Sequence, residues 1–166
     1  MNEHSERIDH DRHGPERRHG QTLLAPIFHV RLVRERLLKT PKVSTPDDVA
    51  PIACRYLQDA DREHFVVILL SVCNQIIGIN TAHVGSLHAS VVAAREVFKP
   101  AILANAARII VAHNHPSGNV EPSREDIAVS KRLVEVGSLL EIPVLDSLII
   151  GHEGRFTSLS QRGLLS

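Results

Sequence analysis

The feature that most constrains this chain is the unbroken apolar run Ile109-Ile110-Val111-Ala112, which ends directly in His113-Asn114-His115-Pro116-Ser117-Gly118. A short, continuous run of branched aliphatics reads as a strand buried on both faces, so residues 108–112 demand cover above and below. Residues two apart on a strand point the same way. His113 and His115 therefore face one side and Asn114 the other. The loop 116–122 turns the chain back, and Ser123 and Asp126 stand one helical turn apart. A helix starting at Pro122 or Ser123 directs both side chains toward the same cavity, with Ser123 a good N-cap.

Two imidazoles and one carboxylate form a three-ligand set with room for water. Structural zinc is usually closed by four ligands, mostly thiolates, whereas hydrolytic zinc keeps three N/O ligands and lowers the pKa of a water in the fourth position to ~7. No cysteine lies in this stretch. A His-x-His pair alone carries little weight, because such pairs arise by chance in strands and loops. Joined to Ser123 and Asp126 at this spacing, it points to one Zn2+ per chain, held by His113, His115 and Asp126.

The remaining pattern alternates strands and helices. Phe28, Val30 and Leu32 alternate with polar residues, as in a half-exposed strand ending near Arg34. Thr45-Pro46-Asp47-Asp48 is a helix start, followed by an apolar face of Val49, Ile52, Ala53, Tyr56 and Leu57. Residues 65–70 and 76–79 are strands joined through Asn74-Gln75, with a further extended piece at 90–92. A helix is predicted over 95–105, with Val97, Ala101, Ile102 and Asn105 on one side. Val129, Leu133, Val136 and Leu140 mark a second helix that tolerates Gly137 late in its course. Residues 142–150 form a central strand interrupted by Asp146. The expectation is an α/β sandwich, a mixed sheet with helices on both faces.

Length and composition fit one soluble domain. Nineteen basic and nineteen acidic residues cancel, so charge gives no support to nucleic-acid binding. Cys54 and Cys73 lack disulfide or metal spacing, and buried reduced thiols in a cytoplasmic protein are expected. No signal peptide or membrane span is visible; the longest apolar run, 65–79, is broken by Asn74 and Gln75. Residues 1–22 are expected to be a disordered His/Arg-rich tail, with a domain over 23–166. His4, His10, His13 and His19 in that tail have no fixed metal spacing.

The motif His-x-His-Pro, with Ser123 and Asp126 at these intervals, resembles the JAMM (MPN) metallopeptidase signature. Together with Arg95-Glu96-Val97-Phe98, residues 106–118 and Pro122-Ser123-Arg124-Glu125-Asp126, it looks like the RadC-like branch of that superfamily, over about 43–164. Ala94 departs from the proline usual there, and Ser147 from the histidine usual after Asp146. The second departure puts an auxiliary polar contact beside the site in doubt. The N-terminal helix-hairpin-helix region often found in such proteins is not expected in a chain of this length.

The resemblance implies a cytidine-deaminase-like fold and a zinc-dependent peptidase or isopeptidase acting on a peptide or protein. Such an enzyme needs a carboxylate to take a proton from water and pass it to the leaving amine, worth ~10²–10⁴-fold. Glu63, just before the strand at 65, and Glu96 are the candidates. JAMM proteins carry their catalytic glutamate at the start of an early apolar strand, which favours Glu63 and leaves Glu96 a structural carboxylate beside Arg95. Ser123 either donates to the developing oxyanion or only caps its helix. Asp146, a carboxylate in an apolar strand, is expected to accept the second N–H of a ligand histidine. A metal-free binding module and a DNA-repair role are the competing classes; the complete ligand set argues against the first, and the neutral charge balance against the second.

Overall fold

The computed structural model describes residues 31–33, 35, 42–85 and 92–166. The tail at 1–22 and most of the strand expected over 28–34 and of the extended piece at 90–92 lie outside them. Helix α1, Pro46–Leu57, starts as its sequence dictates. Thr45 is extended, Pro46 occupies the first turn where its missing N–H costs nothing, and the Asp48 carboxylate accepts from the Ser44 and Thr45 backbone N–H groups at 2.8 Å. It buries Val49, Ala50, Ile52, Ala53 and Leu57.

Strands β1, His64–Leu70, and β2, Ile76–Val84, form an antiparallel hairpin, with Asn74 in the left-handed region at φ 58°. Asparagine tolerates that conformation better than most residues. β2 runs on past Ile79 to Val84. Its second half, Asn80-Thr81-Ala82-His83-Val84, gave no apolar signal because β2 is an edge strand that is only partly buried. Cys73 sits in the hairpin loop and is exposed, and Cys54 is half-buried, so neither thiol is fully buried as expected.

Helix α2, Ala94–Leu103, is shorter than the sequence suggests. Asn105 takes φ 51° beyond its end, and Ile102 faces solvent while Phe98 is buried with Val97 and Ala101. The apolar stripe that wins is the one at i, i+3, i+4 and i+7 from Ala94, which presents a continuous face to the sheet. Ala94 is the first helical residue, a position where proline is tolerated but not required.

Strand β3, Arg108–Asn114, is followed by α3, Arg124–Leu139, and β4, Val144–Ile150. A 3₁₀ turn at His152–Gly154 leads into β5, Phe156–Ser158, a three-residue strand too short to leave a periodic signal. The sheet order is β2-β1-β3-β4-β5. β1 pairs antiparallel with β2 and β3, β3 runs parallel to β4, and β5 is antiparallel to β4.

The sheet is covered on both faces. Phe65, Val67, Leu69, Ile109 and Val111 pack with Val97 and Phe98 of α2 and with Val129 and Leu133 of α3. On the other face Val66, Ile68, Ile110, Ala112 and Leu148 pack with Val49, Ala53 and Leu57 of α1. Each such fully buried Val, Leu or Ile side chain stabilises the fold by ~1.5–3 kcal/mol relative to exposure. Gly137 is required rather than merely tolerated. A β-carbon there would stand 2.7 Å from the Ile142 carbonyl oxygen and 3.3 Å from Phe98, so its absence lets α3 close on the start of the next strand. Among the described residues, no helix is long and apolar enough to cross a membrane.

Candidate metal centre

The site stands at the carboxyl end of β3, where the chain leaves the sheet for the crossover through α3. His113 is the ladder partner of Phe65 and lies almost parallel to its ring, with centroids 6.0 Å apart and planes inclined by 13°. His115 lies one residue beyond β3. Its backbone N–H still donates to the Ile150 carbonyl at 3.0 Å, which prolongs the strand conformation and keeps both imidazoles on one face. Asp126, the third residue of α3, is brought back against them by the capping box: Ser123 N and Oγ each donate to Asp126 Oδ2 at 2.7 Å, and Asp126 N donates to Ser123 Oγ at 3.1 Å.

The three expected ligands converge. His113 Nε2 and His115 Nε2 are 3.0 Å apart, His113 Nε2 is 3.2 Å from Asp126 Oδ1, and His115 Nε2 is 3.5 Å from Asp126 Oδ2. Ligand atoms at ~2.0–2.1 Å from a tetrahedral zinc ion are ~3.3 Å from one another, and the separations between the two imidazoles and from each imidazole to one or other Asp126 oxygen are of that size. Glu63 Oε1 stands further off, 4.0 Å from His115 Nε2, and all four residues offer donor atoms within 4.8 Å of one another. The residues present fit a divalent metal of the zinc type. Glu96 is elsewhere: it lies exposed on α2, bound to Lys99 at 2.6 Å and Arg95 at 3.2 Å. Of the two candidate bases, the fold brings only Glu63 to the cluster.

The tautomer of His115 is set by its surroundings. Its Nδ1 lies 2.7 Å from the Asn119 carbonyl, which can only accept, so Nδ1 carries the proton and Nε2 presents its lone pair to the site. The loop carrying Asn119 is held from below by the 3₁₀ turn. His152 Nε2 is 3.2 Å from the Pro116 carbonyl, and Arg155 donates to the Gly118 carbonyl at 3.3 Å. This close approach depends on Gly151, where a β-carbon would fall 2.6 Å from Val120 and 2.7 Å from the Gly118 oxygen.

Electrostatics support the same arrangement. Burial opposes ionisation of Asp126, but the hydrogen bonds from His113, His115 and Ser123 outweigh it and hold the carboxyl well below the usual range. The Asp126 carboxylate beside His115 pushes that imidazole up, against the opposing effect of burial, aided by Asn119 and Glu63. A cluster that draws two imidazoles onto one buried carboxylate has the charge pattern that a cation would complete.

One expectation is corrected. Asp146 does not serve a ligand histidine. Its oxygens accept from Ser147 N at 2.7 Å, Ser160 N at 3.0 Å and Ser158 Oγ at 2.5 Å, so the buried carboxylate instead ties β4 to β5 and the segment after it. Among the described residues His113 Nδ1 is buried without a hydrogen-bond partner. Of the two roles open to Ser123, the structure shows the capping one: its hydroxyl donates to Asp126 Oδ2 and accepts from Asp126 N, which caps α3 and orients that carboxylate. Ser147 lies under α3 and accepts from buried Ser130 at 2.8 Å, one turn beyond Asp126.

Sequence reasoning missed Asn119, whose carbonyl meets His115 four residues away within an aperiodic loop, and Gly151, whose contacts with Val120 and Gly118 cross more than thirty residues that no local pattern announces. It also placed Asn114 on the opposite side of β3 without assigning it a task. There Asn114, His115 and Pro116 border a cleft of 580 Å³, closed by Cys54 and Arg55 of α1, by Gln58 just after it and by the turn at residues 151–154.

Comparison with known proteins agrees with this geometry. The profile of the RadC-like JAB domain matches residues 43–164. A UPF0758 protein of Moorella thermoacetica is 52% identical over 123 residues, 74% of this chain and 53% of its own length. One from Desulforamulus reducens is 48% identical over 123 residues, covering 74% and 54%, and one from Methanosarcina mazei 41% over 144 residues, covering 86% and 62%. The chain thus spans a little over half the length of the curated relatives it matches. With a match over most of its length and a mixed five-stranded sheet under three helices, the chain belongs to the RadC-like JAB domain family.

Proposed function

We propose that this domain is a zinc-dependent hydrolase of the metallopeptidase type, cleaving an amide bond in a peptide or protein. The observation that carries the reading is the grading of distances: two imidazole nitrogens and the Asp126 carboxylate lie within 3.0–3.5 Å of one another, with the Glu63 carboxylate standing just outside them at 4.0 Å. His113, His115 and Asp126 would hold a zinc ion, which would supply Lewis acidity to polarise a carbonyl and acidify a water near neutral pH. Glu63 is then placed to take the proton from that water on a carboxylate oxygen and return it to the departing amine nitrogen. Asn119 keeps the proton of His115 on Nδ1, and Ser123 keeps Asp126 turned to the site. His113, 1% exposed, closes the inner wall against bulk water.

The test is Glu63→Gln, which removes the base while nearly preserving shape. Bound zinc and the melting temperature should stay within error of the wild type, and turnover of a peptide substrate should fall ~10²–10⁴-fold. Undiminished turnover would remove Glu63 from the mechanism, and loss of zinc would make it a ligand instead.

A further inference from the structure

The residue between the two histidines makes a connection that the hydrolase reading does not use. β1 and β3 pair up to Phe65 and His113, and the next opposed positions would be His64 and Asn114. There the Asn114 side chain crosses to the other strand. Its Oδ1 accepts from His64 N at 2.8 Å, and its Nδ2 donates to the Arg62 carbonyl at 3.0 Å. The Arg62 carbonyl belongs to the peptide before Glu63 and His64 N to the peptide after it. Both peptide planes around the Glu63 α-carbon are therefore fixed by one buried side chain, and Gly85 N adds a bond to the Glu63 carbonyl at 2.8 Å.

Only asparagine fits this task at this reach. Aspartate has no N–H to give Arg62, alanine leaves both peptide groups unpaired, and glutamine is one methylene too long. Because side chains alternate along a strand, the geometry that turns His113 and His115 toward the cluster turns Asn114 to the opposite side, from which its amide reaches the 62–64 segment.

We propose that Asn114 is a positioning residue for Glu63: it couples the strand that supplies two metal ligands to the backbone that carries the proton-transferring carboxylate. This rests on the hydrolase reading above. It also gives the middle residue of the motif a defined role, since a displacement of ~1 Å in such a carboxylate is enough to cost ~10²-fold in rate.

Cobalt(II)-substituted protein tests this without a substrate, through the pH at which its visible absorption changes. Glu63→Gln removes a negative charge a few ångströms from the ion, so the midpoint should move to lower pH by about one unit. Asn114→Ala should move it in the same direction by at least half as much, and the double variant no further than Glu63→Gln alone. Asn114→Ser, a gentler truncation, should behave alike if Asn114→Ala folds poorly, and circular dichroism of each variant shows that the fold is kept. A shift with Glu63→Gln but none with either Asn114 variant, or full additivity in the double variant, would overturn the positioning role and leave the hydrolase reading standing. Failure of the wild type to take up cobalt at all would overturn both.

Discussion

Asp126 shows how much a single carboxylate is asked to do: it faces both imidazoles, accepts from Ser123 twice, and starts α3. Its position at the third residue of a helix adds the favourable end of the helix dipole to these bonds. Asp146 is the instructive contrast. Burial pushes its carboxyl up, and the bonds from Ser158, Ser160 and Ser147 only partly oppose this. A carboxyl whose pKa is raised on folding contributes stability that is fully present below its unfolded pKa of ~3.9 and is lost as pH rises through the folded value. Asp146→Asn keeps the acceptor for Ser147 and Ser160 and offers Ser158 a donor. It should therefore gain a few degrees in melting temperature on the wild type between pH ~4 and pH ~7, and parallel melting curves across that range would show that the carboxyl does not titrate there. At this scale the convergence of His113, His115 and Asp126 was legible in sequence because strand alternation and a helix turn are local rules. The partners of Asp146 were not, since Ser158 and Ser160 come from a short strand and its exit that no periodicity marks.

Among elements, the decisive unit is β3, its loop, α3 and β4. A parallel β3–β4 pair needs a crossover, and the crossover helix begins where β3 ends, so strand end and helix start meet at one point. The alternation of strands and helices was legible because apolar periodicity survives where an element is buried. The edge strand β2 and the end of α2 were misjudged where burial gives out at Val84 and Asn105. The loop 116–120 needs its platform as well as its sequence. Gly151→Ala should push Val120 and the Gly118 carbonyl away, shift Asn119 and loosen the hold on His115 Nδ1. Zinc affinity should fall ~10–100-fold, as for loss of a group that orients a ligand, with the sheet intact by circular dichroism. Unchanged affinity in a competition titration would show that the loop holds itself.

At the scale of the whole molecule, helices cover both faces of the sheet and leave its functional chemistry at one end of the central strand. A metal held between the end of β3 and the first turn of α3 would tie together two elements that already meet through the contacts of His113 and His115 with Asp126. Binding to the folded state alone stabilises it by ~2.7 kcal/mol at a free concentration 100 times the dissociation constant, or ~5–10 °C for a chain of this size. The central claim is that His113, His115 and Asp126 hold one zinc ion. The most direct measurement is calorimetric titration of the metal-free protein with zinc, followed by thermal melting, for the wild type and for His115→Ala and Asp126→Ala. The wild type should bind about one zinc per chain tightly and melt ~5–10 °C higher with it, and both variants should lose the tight site and the rise. Tight binding and an unchanged rise in both variants, or neither in the wild type, would contradict the account.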